Sequence, residues 1–159
     1  LDKQVDSQTH DLRQLALFDP LTGLPNRAYL LEKLKDSIDA LGHKNKLLSF
    51  ILIDIDQFKL INESLGHQRG DSLLKQIGQR ISNALPETAF VARYSNDVFA
   101  ALIENQNDHA DSVNSLKKIY ERVRQPIKLD QLSGQTRINS GIVFVKNNLD
   151  TATDLFRKA

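Results

Sequence analysis

Apolar residues in this sequence recur in two patterns, and the two patterns alternate. Five segments place them every three or four residues, which predicts amphipathic helices over 1–17, 25–41, 70–85, 108–124 and 150–159. Four shorter segments are rich in apolar residues, which predicts strands over 47–53, 89–94, 98–103 and 137–145. A short polar turn separates the second strand from the third, so we expect a hairpin. This order predicts an α/β sandwich of the α+β type, with helices flanking a central mixed sheet.

The composition restricts the class of protein more than it identifies a function. A chain of 159 residues has the length of one domain that buries its own core. Its 21 basic and 20 acidic residues nearly balance, so nothing indicates binding to nucleic acid. The absence of cysteine excludes disulfides, thiolate zinc sites and cysteine nucleophiles. No apolar run is long enough to cross a bilayer, so we expect a cytoplasmic domain without membrane contact within these residues.

Two features predict that the sequence is a piece of a longer protein. It contains no methionine, even at position 1. The helix predicted over 150–159 also stops without a glycine, a proline or a polar turn after it. We therefore expect this last helix to be truncated, and a membrane anchor elsewhere in the longer protein stays open.

The first predicted helix carries a seam of residues spaced four and three apart, namely Leu1, Val5, Gln8, Leu12 and Leu15. Two heptads are too few to establish a coiled coil. In one interpretation the helix lies on the domain and buries this seam. In the other, the helix transmits a signal or pairs two chains. We assign residues 1–18 to this signalling or linker helix and residues 19–159 to the domain.

The strand predicted over 47–53 leads into two carboxylates, Asp54 and Asp56. Residues two apart on an extended backbone project from the same face, so both carboxylates emerge together where a buried strand ends. Hard cations such as Mg²⁺ prefer oxygen ligands of this kind. Carboxylates at a strand end are more often plain solvated surface, so the pair alone does not establish a metal site.

The residues that follow offer groups that suit a nucleotide. In the loop expected over 58–61, which begins with Phe58 and Lys59, successive backbone N–H groups and one ammonium could meet phosphate oxygens. Asn62 and Asp71 bracket a turn at 66–67, and together an amide and a carboxylate could read the edge of a base. The sequence thus predicts a nucleotide site next to the carboxylate pair.

This order of residues resembles the nucleotide-binding core of GGDEF domains, the family of diguanylate cyclases and their inactive relatives. The resemblance is carried by Asp-Ile-Asp-x-Phe-Lys-x-Ile-Asn over 54–62 and Gly-His-x-x-Gly-Asp over 66–71. Residues 19–27 also resemble the D-x-LTGL-x-NR segment that opens these domains. The resemblance implies a ferredoxin-like palm for the chain from Asp19 onward, preceded by the N-terminal helix.

The resemblance also implies roles for individual residues in binding GTP with Mg²⁺. A diguanylate cyclase joins two GTP molecules into cyclic di-GMP, and divalent cations stabilise the attacking and leaving oxygens. The implied metal ligands are the carboxylates of Asp54 and Asp97 and the carbonyl of Ile55. The implied nucleotide-binding residues are Phe58 and Lys59 at the phosphates and Asn62 and Asp71 at the guanine.

The signature hairpin departs from the family pattern of Gly-Gly-Asp/Glu-Glu-Phe, because this chain has Ser95, Asn96, Asp97, Val98 and Phe99. Asparagine tolerates the left-handed region, so we expect Asn96 and Asp97 still to make the turn. Ser95 and Asn96 add side chains where glycines let the backbone approach the nucleotide. Val98 replaces a carboxylate and can neither coordinate a cation nor accept a proton. We therefore expect cyclase activity to be absent or negligible.

The family's product-inhibition motif, Arg-x-x-Asp, is also missing, since Pro86 and Ala89 occupy its charged positions. Three functions stay open. The first is a regulatory, non-catalytic domain that binds GTP, forms a homodimer or relays a signal to a linked EAL phosphodiesterase domain, a neighbour suggested by the style of residues 123–134. The second is a weak diguanylate cyclase that uses Asp54 and Asp97 alone. The third is a structural spacer whose nucleotide residues are relics.

Overall fold

The computed structural model describes residues 2–41, 46–106 and 108–145, which contain five helices and six strands. The helices are α1 (Asp2–Leu17), α2 (Arg27–Leu41), α3 (Phe58–Leu65), α4 (His67–Ala84) and α5 (His109–Val123). The strands are β1 (Leu47–Ile55), β2 (Phe90–Ser95), β3 (Val98–Gln106), β4 (Ile127–Leu129), β5 (Leu132–Gly134) and β6 (Ile138–Val145). The helix predicted over 150–159 lies outside the described residues. No described helix is both long and apolar enough to cross a membrane.

Four strands form the central sheet in the order β2-β3-β1-β6, and helices flank it as predicted. All of their pairings are antiparallel, which corrects the mixed sheet expected from the sequence. The connections explain the difference. The chain passes from β1 through α3 and α4 to β2, two positions away, and the β2–β3 hairpin then fills the gap. The path from β3 through α5 to β6 likewise spans β1, so parallel strands are never neighbours. This is the ferredoxin-like order.

The sheet separates two apolar clusters, and β1 lies between them. Ile51, Ile53 and Ile55 are buried in one cluster with residues of α3, α4 and α5. Phe50, on the opposite face, is buried in the other cluster with the apolar stripe of α2. Full burial of a side chain of this size contributes about 1.5–3 kcal/mol. The end of β1, where Asp54 lies, is therefore held rigidly from both faces.

Three segments differ from the prediction. The segment expected to be a loop over 58–61 opens α3, because Phe58, Ile61 and Leu65 recur at helical spacing and pack against the core on one side. In the same way α4 begins at His67, ahead of the predicted start at 70. Residues expected to form a loop after Pro126 include the short hairpin of β4 and β5. Strands of three residues are too short to show an alternating pattern.

α1 keeps its seam exposed. Val5, Leu12 and Leu15 are 59%, 67% and 78% exposed, so the interpretation in which the helix buries this seam on the domain is wrong. The end of α1 is fixed instead, since Asn26 donates a hydrogen bond from Nδ2 to the carbonyl of Ala16 at 2.9 Å. The exposed seam is compatible with the other interpretation, in which the helix pairs two chains or transmits a signal.

Candidate functional site

The end of β1 places Asp54 in a row of side chains that crosses three strands. Val98 on β3 and Asn139 on β6 are its direct neighbours in register, so the three side chains share one face of the sheet. Asn139 donates a hydrogen bond from Nδ2 to Oδ1 of Asp54 at 3.3 Å. Val98 offers no polar atom. The half-buried carboxylate of Asp54 therefore has a donor on one side and an isopropyl group on the other.

The hairpin tip brings Asp97 to the same strand end. The backbone N–H of Ile55 donates to the carbonyl of Asp97 at 3.1 Å, which fixes the tip against the end of β1. Asp97 is half-buried, like Asp54. The three metal ligands implied by the resemblance thus occupy neighbouring positions.

The donor set fits one hard cation better than two. Two carboxylates and a backbone carbonyl are oxygen donors that suit Mg²⁺, and a bound triphosphate would supply further oxygens. Across residues 2–41, 46–106 and 108–145, no group of three or more Asp, Glu, His or Cys side chains is arranged to hold a metal ion. The neighbour of Asp54 on the hairpin is Val98, so the acid that the family signature places there is missing. The carboxylates of Asp54 and Asp97 and the carbonyl of Ile55 therefore suit one cation that arrives with a nucleotide, and this metal site stays a prediction.

The hairpin predicted from the sequence is confirmed, with Asn96 and Asp97 as its two-residue tip. The expected left-handed turn is wrong, because neither residue has a positive φ. The pairing register shifts between Arg93 and Ser95 instead, which leaves Tyr94 as a bulge. The bulge lets the turn close without the two glycines of the family signature, so their replacement causes no backbone strain.

Arg93, which the sequence reasoning did not single out, joins the tip to the turn before α2. Its guanidinium donates to both carboxylate oxygens of Asp19 at 3.1 Å and to the carbonyl of Asn96 at 2.8 and 3.2 Å. Thr22 donates to Asp19 from its backbone N–H and its hydroxyl. Burial raises the pKa of Asp19, but the hydrogen bonds from Thr22 and Arg93 outweigh it and hold this pKa below its ordinary value.

The expected phosphate segment is the first turn of α3. The first backbone N–H groups of a helix have no intrahelical acceptor. Gln57, which precedes α3 with φ 55°, does not cap them with its side chain. These groups and the exposed ammonium of Lys59 suit phosphate oxygens. Phe58 departs from the expectation, because its ring is 3% exposed and packs in the core. A nucleotide could reach the backbone of Phe58 but not its ring.

Asn62 presents a buried acceptor. Its Oδ1 is shielded from solvent and has no hydrogen-bond partner in the described part of the chain. The amide lies against Gly70 of α4, where an added Cβ would overlap Oδ1 and lie 3.0 Å from Cγ. Gly70 is therefore required for this position of Asn62. Leaving a buried acceptor unpaired costs about 1–3 kcal/mol, which favours a ligand that carries an N–H donor.

Asp71 follows Gly70 directly, so the two residues expected at the guanine meet where α3 packs on α4. The Asp71 side chain is exposed and lines an open cavity of about 320 Å³ together with Arg69 and Lys75. Asn62 is not among the described residues that line this cavity, so the joint reading of guanine by Asn62 and Asp71 stays a prediction.

The positions of the product-inhibition motif carry no comparable chemistry. Ala89 donates from its backbone N–H to the carbonyl of Pro86 at 2.9 Å, which closes a turn. Both residues line a cavity of about 340 Å³ with Glu87 and Phe90, and none of its described lining residues is basic. The anion-binding arginine expected of the family motif is absent from this turn.

Three residues that shape the site gave weak signals in the sequence. Asn139 and Arg93 are polar residues within mostly apolar strands, and a polar side chain in such a strand usually has a partner. Gly70 lies on the buried stripe of α4, where a glycine indicates close packing. Their partners depend on which strands and helices are neighbours, and no local pattern shows that.

Comparisons with known proteins agree with this geometry. The family model described as diguanylate cyclase, GGDEF domain, matches residues 16–159. The cyclic di-GMP phosphodiesterase NbdA of Pseudomonas aeruginosa is 33% identical over 156 residues, which cover 98% of this chain and 20% of that protein. The diguanylate cyclase TpbB of the same species is 34% identical over 158 residues, which cover 98% of this chain and 36% of that protein. The chain thus spans only part of the length of these relatives.

Solved structures share the fold. The GGDEF domain of TpbB from Pseudomonas aeruginosa has a TM-score of 0.83 at 33% identity, covering 88% of this chain and 82% of that one. The coiled coil and GGDEF domain of DgcB from Caulobacter crescentus has a TM-score of 0.89 at 22% identity, covering 99% and 83%. The second likeness concerns the fold alone. With the family model matched over most of its length, this chain belongs to the GGDEF diguanylate cyclase domain family.

Proposed function

We propose that this chain is a GGDEF domain of cyclic di-GMP signalling that binds GTP without converting it and regulates a linked domain or a partner chain. The observation that carries the proposal is the register of β1 and β3, in which Asp54 faces Val98. The acid needed next to Asp54 is replaced by an aliphatic side chain, while the guanine half of the site keeps its polar groups.

Cyclase chemistry has requirements that the tip does not meet. The 3′-hydroxyl of one GTP must lose its proton as it attacks the α-phosphate of the other, and pyrophosphate must leave. An isopropyl group at position 98 accepts no proton and binds no cation. Loss of a positioned acid or base typically lowers a rate by about 10²–10⁴-fold. Ser95 and Asn96 add side chains at the tip, which further restricts access of the nucleotide.

Binding of one GTP asks less of the protein. Asn62 and Asp71 would accept hydrogen bonds from the N–H groups of guanine, and the buried Oδ1 of Asn62 favours such a donor. The first turn of α3 and Lys59 would contact the phosphates. Asp54, Asp97 and the carbonyl of Ile55 would hold one Mg²⁺, which supplies positive charge that neutralises the triphosphate.

The regulatory role is argued from α1, which we propose as a signalling helix over residues 1–18 ahead of the domain at 19–159. Its exposed seam of Val5, Leu12 and Leu15 suits pairing with a second copy of the chain. NbdA is named a phosphodiesterase, which supports a linked EAL domain as the recipient of the signal.

An assay of product formation tests the loss of catalysis. We expect no cyclic di-GMP to accumulate when the purified dimer is incubated with GTP and Mg²⁺. Replacing Ser95 and Asn96 by glycine and Val98 by glutamate in one variant restores the family signature and serves as the positive control. Product formed by the unmodified chain, and lost in the Asp97→Ala variant, would instead establish the alternative of a weak diguanylate cyclase, which the retained Asp54 and Asp97 favour.

A titration with GTP tests the binding half. We expect saturable binding that is weakened about tenfold by Asn62→Ala, because one buried hydrogen bond to the base is lost. Asp71→Ala should weaken binding to a similar extent. Absence of binding at millimolar GTP would reject the proposed GTP binding and leave a structural spacer or a protein-interaction role.

A further inference from the structure

Asn139 is the residue at this site that the family signature does not explain. It lies near the start of β6, is exposed, and is paired in register with Asp54 on β1. Its Nδ2 donates to Oδ1 of Asp54 at 3.3 Å. Among the described residues, no other group forms a hydrogen bond with the Asp54 side chain. One oxygen of the carboxylate is therefore engaged from β6.

The other side of Asp54 is different. Val98 is its neighbour on β3, and an isopropyl group neither donates to the carboxylate nor restrains its rotation by a hydrogen bond. With no acid at position 98, the carboxylate of Asp54 has no acidic neighbour in register on β3. Its orientation is then set from one strand, by the amide of Asn139.

We propose that Asn139 is a positioning residue for Asp54: it holds one carboxylate oxygen so that the other meets the single divalent cation carried by the triphosphate of GTP. This proposal rests on the proposed binding of GTP. Groups that hydrogen-bond a ligating carboxylate fix its direction, and their loss typically lowers metal affinity about 10–100-fold. Asn139 would thus set how strongly Mg²⁺ tightens nucleotide binding, without touching the nucleotide itself.

Calorimetric titration of GTP in Mg²⁺ and in EDTA measures this effect as the ratio of the two dissociation constants. We expect Mg²⁺ to tighten binding by the unmodified chain, and Asn139→Ala to reduce that ratio at least about tenfold. Affinity in EDTA should stay within about twofold, because the contacts to base and phosphates remain. Asp54→Asn removes the charge of the ligating carboxylate and should show the lowest ratio. Asn83→Ala, at an exposed position on α4, is the matched control and should leave the ratio unchanged.

Mn²⁺ provides a readout that does not depend on nucleotide affinity alone. The electron paramagnetic resonance signal of free Mn²⁺ should fall further with the chain and GTP together than with GTP alone, and this further fall should be smaller with Asn139→Ala. If that variant does not fold, Asn139→Val, a residue suited to a strand, carries the same test. An equal ratio of the dissociation constants in EDTA and in Mg²⁺ for the unmodified chain and the Asn139 variants would overturn this inference alone. Failure of the unmodified chain to bind GTP in either buffer would overturn the proposed function as well.

Discussion

The two halves of the nucleotide site are supported in different ways. At the contact of α3 and α4, one of the two groups that would read guanine is also a packing group, since the Asn62 amide lies against Gly70. At the β2–β3 tip, the shape of the hairpin depends on other atoms. Arg93 holds the carbonyl of Asn96, and Phe99 is fully buried in the core.

The difference explains how a signature can change while its fold persists. The contacts that hold the tip are made by Arg93 and Phe99 rather than by the residue at position 98. Valine at that position therefore removes a catalytic group without weakening the hairpin. In the guanine half, packing and nucleotide binding are not separated in this way. A change at Gly70 or Asn62 alters packing and binding together. The comparison predicts that substitutions will affect stability and GTP binding independently at the tip, and jointly at the helix contact.

The largest effect on stability is expected from Arg93→Met. Methionine keeps much of the apolar stem but removes the guanidinium that pairs with Asp19, in a pair whose side chains are 13% and 16% exposed. Breaking a mostly buried pair leaves a carboxylate without its partner, so we expect a loss of about 2–4 kcal/mol in the free energy of unfolding, measured with urea. GTP affinity should change less than about threefold, since the α3–α4 contact is untouched.

The matched control is Arg69→Met. Arg69 pairs with Asp130 at 3.2 Å, but the two side chains are 38% and 71% exposed. Exposed pairs contribute about 0–1 kcal/mol, so the loss should stay below about 1 kcal/mol. Equal losses for the two variants would show that the Arg93 pair does not support the tip.

Much of this comparison could be read from the sequence. Hydrophobic periodicity located four of the five described helices and the four strands of the central sheet, because each carries a regular apolar pattern over enough residues to be recognised. It failed for α3, a helix of eight residues that begins at an expected loop, and for β4 and β5. The antiparallel pairing was also out of reach, since strand order depends on contacts between distant segments.

The site could be predicted as a set of residue types but not as a set of partners. Asp54 and Asp97 were identified at a strand end and a hairpin tip, and the structure brings them together there. The bond from Asn139 to Asp54 spans 85 positions of sequence, and that from Arg93 to Asp19 spans 74. Local spacing contains no information on such pairs. The Phe58 ring is a different case, because its helical spacing with Ile61 and Leu65 is a local signal that it turns into the core.

Gly70→Ala tests the joint effect at the helix contact. The added methyl would overlap Oδ1 of Asn62 and displace the amide. We expect a loss of about 1–3 kcal/mol in the free energy of unfolding from overpacking. GTP affinity should fall at least about tenfold in the same variant, because the acceptor no longer faces the base. Gly134→Ala is the control, since nothing lies within 4 Å of its added Cβ. If Gly70→Ala keeps full GTP affinity, Asn62 does not read the base.

The acid dependence of stability tests the tip from the side of Asp19. Its pKa is lower in the folded chain than in the unfolded one, so the stabilisation is complete above the ordinary pKa of about 4 and is lost as the pH falls through the folded value. Asp19→Asn should therefore be less stable than the unmodified chain at neutral pH, and the difference should shrink in acid. Urea titrations across this range measure it. A difference that stays constant with pH would show that the charge of Asp19 contributes nothing.

The smallest effect is expected at Gln57, where the backbone before α3 has φ 55° and ψ 34°. A side chain in this left-handed region costs about 1–2 kcal/mol, and glycine avoids that cost but loses more entropy on folding. We therefore expect Gln57→Gly to raise the free energy of unfolding by less than about 1 kcal/mol. GTP affinity should not fall, because the first turn of α3 keeps its N–H groups. Asp130, at φ 58°, provides the comparison. Glycine should raise the free energy of unfolding less at this position, because aspartate tolerates the left-handed region better than glutamine and Asp130→Gly also removes the pair with Arg69. Destabilisation by Gln57→Gly would mean that the Gln57 side chain itself supports the start of α3, where the phosphate segment lies.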